Sequence, residues 1–152
     1  MLMISEFDPV HPERLISEPK CLSRPLYGFE NTEHTINNEG PYAFYYHNKI
    51  YLAYSGGDAR GYLYAIGMLT ANDGDDLCDL SVWEKAKTPI ASFATIPGEY
   101  GPGHNSFFWD RDQNLWIAYH AVTSFEEKIV SSGMRRVYFE QDKTPRVDVI
   151  VE

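Results

Sequence analysis

Residues 38–55 read NEGPYAFYYHNKIYLAYS, with aromatic and aliphatic positions gathered on both sides of the polar triplet His47-Asn48-Lys49. Strand formers flanking a tight polar turn predict a β-hairpin. The same pattern returns in GHNSFFWDRDQNLWIAYH, residues 103–120, around Asp110–Asn114. The two stretches align without a gap at an offset of 65 residues, which sets Tyr51-Leu52-Ala53-Tyr54 over Trp116-Ile117-Ala118-Tyr119. Third strands are expected at YLYAIGMLTA (62–71) and RRVYFEQ (135–141), and fourth strands at SVWEKAK (81–87) and PRVDVIV (145–151). ERLISEPKCLS (13–23) reads as another fourth strand, with Leu15 lying 68 residues before Trp83, but no three strands precede it.

Four antiparallel strands repeating at a period somewhat above the usual ~40–50 residues are the signature of a β-propeller with long loops. The expected fold is therefore all-β, a partial β-propeller in one incomplete domain over residues 1–152. It comprises the outer strand of a preceding blade (13–24), a first blade (38–88) and a second blade (102–152). Propellers close with about four to eight blades, so this chain is expected to need the missing N-terminal blades or to self-associate.

Composition sharpens this picture. The 152 residues include 11 Tyr, 8 Phe, 3 Trp, 11 Gly and 9 Pro, which favours short strands and turns over long helices. A formal net charge of −9, with nothing basic clustered beyond Arg135-Arg136, argues against nucleic acid and anionic membranes as partners and leaves neutral ligands such as sugars. Cys21 and Cys78 are isolated thiols without zinc spacing. The start MLMISEFDPV lacks a basic stretch followed by an apolar run, and no segment approaches a membrane span, so a cytoplasmic location is expected.

The candidate chemistry lies in the inner strands. The offset places Glu39 over His104, and first strands of propeller blades line the central channel, so both polar groups are expected to point to one axis. Gly40 and Pro41 shape the chain beside Glu39. Flanked by Tyr42 and Tyr45, its carboxylate is expected to be partly desolvated, with a raised pKa suited to a general acid. The bland alternative is a solvated turn carboxylate. His104, following Gly101-Pro102-Gly103, is a candidate for hydrogen-bonding a substrate or meeting an ion, or for a structural role. His11, His34, His47 and His120 show no partner pattern. DGDD (73–76) fails calcium-loop spacing, SGGDARG (55–61) lacks phosphate-loop residues, and Ser55 and Ser106 lack a His/Asp framework.

NEGPYAFYYHNKIYLAYSGGD and YGPGHNSFFWDRDQNLWIAYHA, joined by WEKAKTPI and followed by MRRVYF, resemble glycoside hydrolase family 43, the five-bladed propeller arabinofuranosidases and xylosidases. CLSRPLYGFE…NNEGP is most similar to the exo-acting α-L-arabinofuranosidase branch. The resemblance implies hydrolysis of arabinose- or xylose-containing oligo- and polysaccharides by inversion, with no required cofactor. It implies that Glu39 is the general acid, that His104 sits beside a central hydrated ion, often calcium, and that Arg135 or Arg136 approaches the substrate with Tyr42 nearby. It also implies a catalytic base and a pKa-tuning Asp on earlier blades. Glu6, Asp8, Glu13, Glu18, Glu30 and Glu33 do not stand in such contexts. A non-catalytic carbohydrate-binding module and a degenerate, self-associating fragment are the alternatives.

Overall fold

In the computed structural model, residues 1–124, 126 and 129–149 are described. Strand β1 (Leu2–Ile4) pairs antiparallel with β2 (Lys20–Ser23), and a 3-10 turn at Gly28–Glu30 leads into a small hairpin of β3 (Asn31–Thr32) and β4 (Thr35–Ile36). A four-stranded antiparallel sheet follows, ordered β5 (Asn38–Tyr46), β6 (Lys49–Gly56), β7 (Ala65–Asn72) and β8 (Glu84–Lys85). The next sheet holds β9 (Tyr100–Trp109), β10 (Leu115–Ser124) and β11 (Ile129–Arg136), and β12 (Tyr138–Phe139) pairs with β13 (Pro145–Arg146) in a hairpin of its own. No helix among the described residues is long and apolar enough to cross a membrane.

Side-chain alternation makes these sheets successive blades of a propeller. In β6, Tyr51 and Ala53 join the core shared with Phe107, Ile117 and Tyr119 of the second sheet, while Leu52 and Tyr54 turn to the opposite face with Leu2 and Leu69. One repeat later, Leu52 and Tyr54 become Ile117 and Tyr119, and these look back at the first sheet. Each blade thus presents the same residue pair to its N-terminal neighbour, as rotation about a single axis demands. Aromatic rings fill the seam: Phe44 stacks on Tyr51 at 4.8 Å and lies 4.5 Å from Phe107.

The repeat reaches a finer detail. Tyr54 lies across from Gly67, and Tyr119 across from Gly133, in matching cross-strand pairs. A Cβ at Gly67 would sit 2.4 Å from Tyr54 Cζ, and one at Gly133 would sit 2.5 Å from Tyr119 Cε2. Both rings are buried and cannot withdraw. Gly67→Ala is therefore expected to destabilise the chain by about 1–3 kcal/mol, the usual cost of overpacking, as read by urea denaturation.

Strand limits depart from the sequence pattern in several places. Residues 13–19 form no strand; Leu15 makes only an isolated bridge to Phe7, and Pro19 delays the strand to Lys20. The third strand of the first blade starts at Ala65, after Tyr62–Tyr64 have been drawn into loop contacts, and its fourth strand shrinks to Glu84–Lys85 behind a 3-10 turn at Leu80–Val82. In the second blade the third strand is β11, earlier than 135–141. Pro145–Arg146 pairs with Tyr138–Phe139 and not with β11. Residues 150 and 151 of the expected last strand lie outside the described residues.

Candidate active site

Two bulges, one at the start of β5 and one midway along β9, create the site. Between Glu39 and Tyr42 the pairing of β5 with β6 slips at Gly40-Pro41, and Gly40 takes φ +56°. Between Ser106 and Gly103 the pairing of β9 with β10 slips likewise, with His104 at φ +49° and Gly101 at φ +56°. Bulges re-aim side chains. Here they bring Glu39 Oε1 within 4.0 Å of His104 Nδ1. Gly40 is open enough for the His104 ring to lie beside it, 3.5 Å from where a Cβ would stand.

The link between the two is Tyr64, just ahead of β7. Its hydroxyl donates to Glu39 Oε1 at 2.6 Å and lies 2.9 Å from His104 Nδ1. The tyrosine is wholly buried, and a Cβ at Gly103 would fall 1.9 Å from its Cε1, so glycine is needed under the ring. His120, the cross-strand partner of Gly103, stacks on Tyr64 at 5.6 Å with planes 8° apart, and His104 stands 5.9 Å from His120. Ser55 Oγ accepts the backbone N–H of His104 at 2.8 Å. Glu39 and His104 themselves stay open to solvent, with side chains 33% and 53% exposed.

The electrostatics overturn the expectation of a raised Glu39 pKa. Burial does push the carboxyl upward, but the Tyr64 and Asn37 hydrogen bonds and the fields of His104 and His120 outweigh it and hold Glu39 below the ordinary glutamate range. Glu39 is thus ionised at neutral pH in this half-channel. Burial and the nearby His104 likewise depress His120, against the opposing effects of the Ala59 backbone and Glu39. Burial and the Glu39 hydrogen bond push the Tyr64 phenol up, so it remains a proton donor.

Other expected site residues are engaged elsewhere. The Gly40-Pro41 bulge turns Tyr42 away, and its hydroxyl donates to the Phe107 carbonyl at 2.9 Å; Tyr45 reaches Asp73 at the far end of the strand. Arg135 donates from Nε to the Tyr119 hydroxyl at 2.9 Å and pairs with Glu99 at 3.0 Å, whereas exposed Arg136 lies over the Tyr138 ring. Tyr64 escaped sequence reasoning because a Tyr in an apolar run reads as core; Ser55 was weighed there only as a nucleophile and His120 was left open, because their partners come from other strands.

Calcium favours several oxygen ligands. His104 offers a nitrogen, and the grouping of His, Cys and acidic ligand atoms at metal spacing found among the described residues is Glu6, Asp76 and Cys78, which includes neither His104 nor Glu39. An ion beside His104 would have to be held mainly through water, as the resemblance implies. In DGDD, Asp75 and Asp76 accept backbone N–H groups of Asn72 and Cys78, as turn caps do.

Two successive propeller blades, with an acid and a histidine converging from their inner strands, define a piece of a propeller with a polar channel mouth. Residues 9–145 match Glycosyl hydrolases family 43, and the chain belongs to that family. It is 36% identical over 121 residues to an extracellular exo-α-(1→5)-L-arabinofuranosidase of Streptomyces chartreusis, covering 79% of this chain and 36% of that protein. It is 28% identical over 149 residues to a protein of the same name from Streptomyces avermitilis, covering 93% of this chain and 31% of the other. Among solved structures it matches an α-L-arabinofuranosidase from Lactobacillus brevis with a TM-score of 0.82 at 28% identity, over 95% of this chain and 46% of that one. The chain therefore spans about a third of these curated relatives. Both Streptomyces relatives are named extracellular, which overturns the expected cytoplasmic location.

Proposed function

We propose that these 152 residues form the acid-bearing part of a family 43 glycoside hydrolase that cleaves α-L-arabinofuranosides in arabinose-containing polysaccharides by inversion. The observation that carries this reading is the convergence of Glu39 and His104, from adjacent inner strands, on Tyr64. In this role Glu39 protonates the leaving glycosidic oxygen. Inversion needs a second carboxylate about 6.5–9.5 Å away, with room for the attacking water. Among the described residues the largest influences on Glu39 come from Tyr64, Asn37, His104 and His120, none of them an acid; in this reading the base is supplied by other propeller blades.

The same blades account for the protonation state. A carboxylate brought near Glu39 opposes its ionisation and raises its pKa toward the working range of a general acid. The ionised Glu39 of the half-channel also favours a second reading, a module that holds a sugar without cleaving it. An aryl α-L-arabinofuranoside separates the two, assayed with the chain alone and with a co-expressed segment carrying the propeller blades absent from it. The first reading expects no turnover alone and turnover on complementation; arabinose binding without turnover in both cases supports the second.

A further inference from the structure

The hydroxyl of Tyr64 has one proton, a hydrogen bond with Ser55, and two further neighbours that could receive that proton. Glu39 Oε1 lies at 2.6 Å and His104 Nδ1 at 2.9 Å. Glu39 is ionised and offers only lone pairs, and two oxygens cannot meet at that separation without a proton between them. The Tyr64 proton therefore lies on the Glu39 side. His104 Nδ1, facing the phenolic oxygen, must then supply a proton of its own.

We propose that Tyr64 is a positioning residue that fixes His104 in its Nδ1–H tautomer, so that Nε2 presents a lone pair at the channel mouth as an acceptor for a substrate hydroxyl. The ring is held for this purpose from several directions. Ser55 anchors the His104 backbone, Gly40 clears space beside Cδ2 and Nε2, and His120 stacks against both His104 and Tyr64. Tyr64 in turn has no freedom to rotate away, because Gly103 lies directly under its ring. The other ring nitrogen of His104 belongs to a side chain that is half exposed. An acceptor at that point distinguishes a hydroxyl in the right place from an ether or a missing group. The nature of the donor rests on the proposed function, whereas the tautomer follows from the hydrogen-bond accounting alone.

The test is nitrogen NMR of the 152-residue chain with 15N-labelled histidine, at mildly alkaline pH where imidazoles are neutral, with His104 assigned from the signals lost in His104→Asn. The expected spectrum shows His104 protonated at Nδ1 and bare at Nε2. In Tyr64→Phe the phenolic oxygen is gone, and His104 is expected to shift to the Nε2–H form that a free imidazole favours. In Glu39→Leu the phenol loses its carboxylate acceptor, turns its proton to Nδ1, and the same shift is expected with Tyr64 in place. A proton on Nε2 in the unmodified chain would overturn the proposal. So would retention of the Nδ1–H form in either variant with an unchanged backbone amide spectrum. Because the unmodified chain and Glu39→Leu are decisive without Tyr64→Phe, a variant that fails to fold leaves the outcome readable. Loss of turnover in a complemented enzyme would bear on the function; the tautomer answers independently of it.

Discussion

Replacing Lys85 with alanine is expected to lower the stability of the chain by about 3–5 kcal/mol, the usual cost of leaving a buried charge without its partner. The charge is Glu30, which has no exposed surface. Its Oε2 accepts the backbone N–H groups of Leu26 and Tyr27, each at 2.7 Å. Its Oε1 accepts from Asn38 Nδ2 at 2.7 Å and the Tyr54 hydroxyl at 2.8 Å, and Lys85 pairs with the same oxygen. Burial acts to raise the pKa of Glu30, but Lys85 and these hydrogen bonds win, and the folded value lies below the ordinary one. A depressed carboxylate stabilises the fold above its unfolded pKa of about 4.3, and that contribution is lost as pH falls through the folded value. Urea denaturation at neutral pH is expected to show the loss in Lys85→Ala. The unsubstituted chain is expected to lose the Glu30 contribution only on acidification.

The second blade repeats the device with Tyr119, Glu99 and Arg135 in place of Tyr54, Glu30 and Lys85. The Arg135 and Glu99 side chains are each 22% exposed, so water screens that pair and Arg135→Ala is expected to cost less. This shared design explains why an arginine that sequence resemblance sets near the substrate is found holding a tyrosine between blades. It also places Glu30, an acid with no assigned role in the sequence, among the strongest local determinants of the fold.

What could be read from sequence was whatever the repeat carried. The offset of 65 residues matched the two inner hairpins and set Glu39 against His104. It failed where the repeat does not hold. Ile129–Arg136 contains two serines and a glycine, so β11 lacked an apolar run, yet Gly133 is what lets Tyr119 lie across the strand. Tyr64 looked like one more aromatic core residue, and it is buried; its function resides in a hydroxyl whose partners lie 25 and 40 residues away. Partial desolvation of Glu39 was expected, but from Tyr42 and Tyr45, which bond elsewhere; the aromatic beside it is Tyr64. The sign of its pKa shift was not legible, because that sign comes from Tyr64, Asn37 and two histidines whose positions depend on the bulges.

In the chain complemented with its missing blades, Glu39→Gln is expected to cost about 10²–10⁴-fold in turnover of a glycoside with a poor leaving group, since glutamine cannot supply the proton. The loss should depend on the substrate in a particular way. A dinitrophenyl leaving group departs as a stable anion and needs little protonation, so a general acid matters little for it. An alkyl or sugar leaving group needs the proton fully. The most direct test of Glu39 as proton donor is therefore kcat/KM of Glu39→Gln relative to the unsubstituted complemented chain, on a dinitrophenyl α-L-arabinofuranoside and on an arabinose disaccharide. A large loss on the disaccharide with near-normal turnover of the dinitrophenyl substrate is the predicted result; equal losses on both would contradict the assignment.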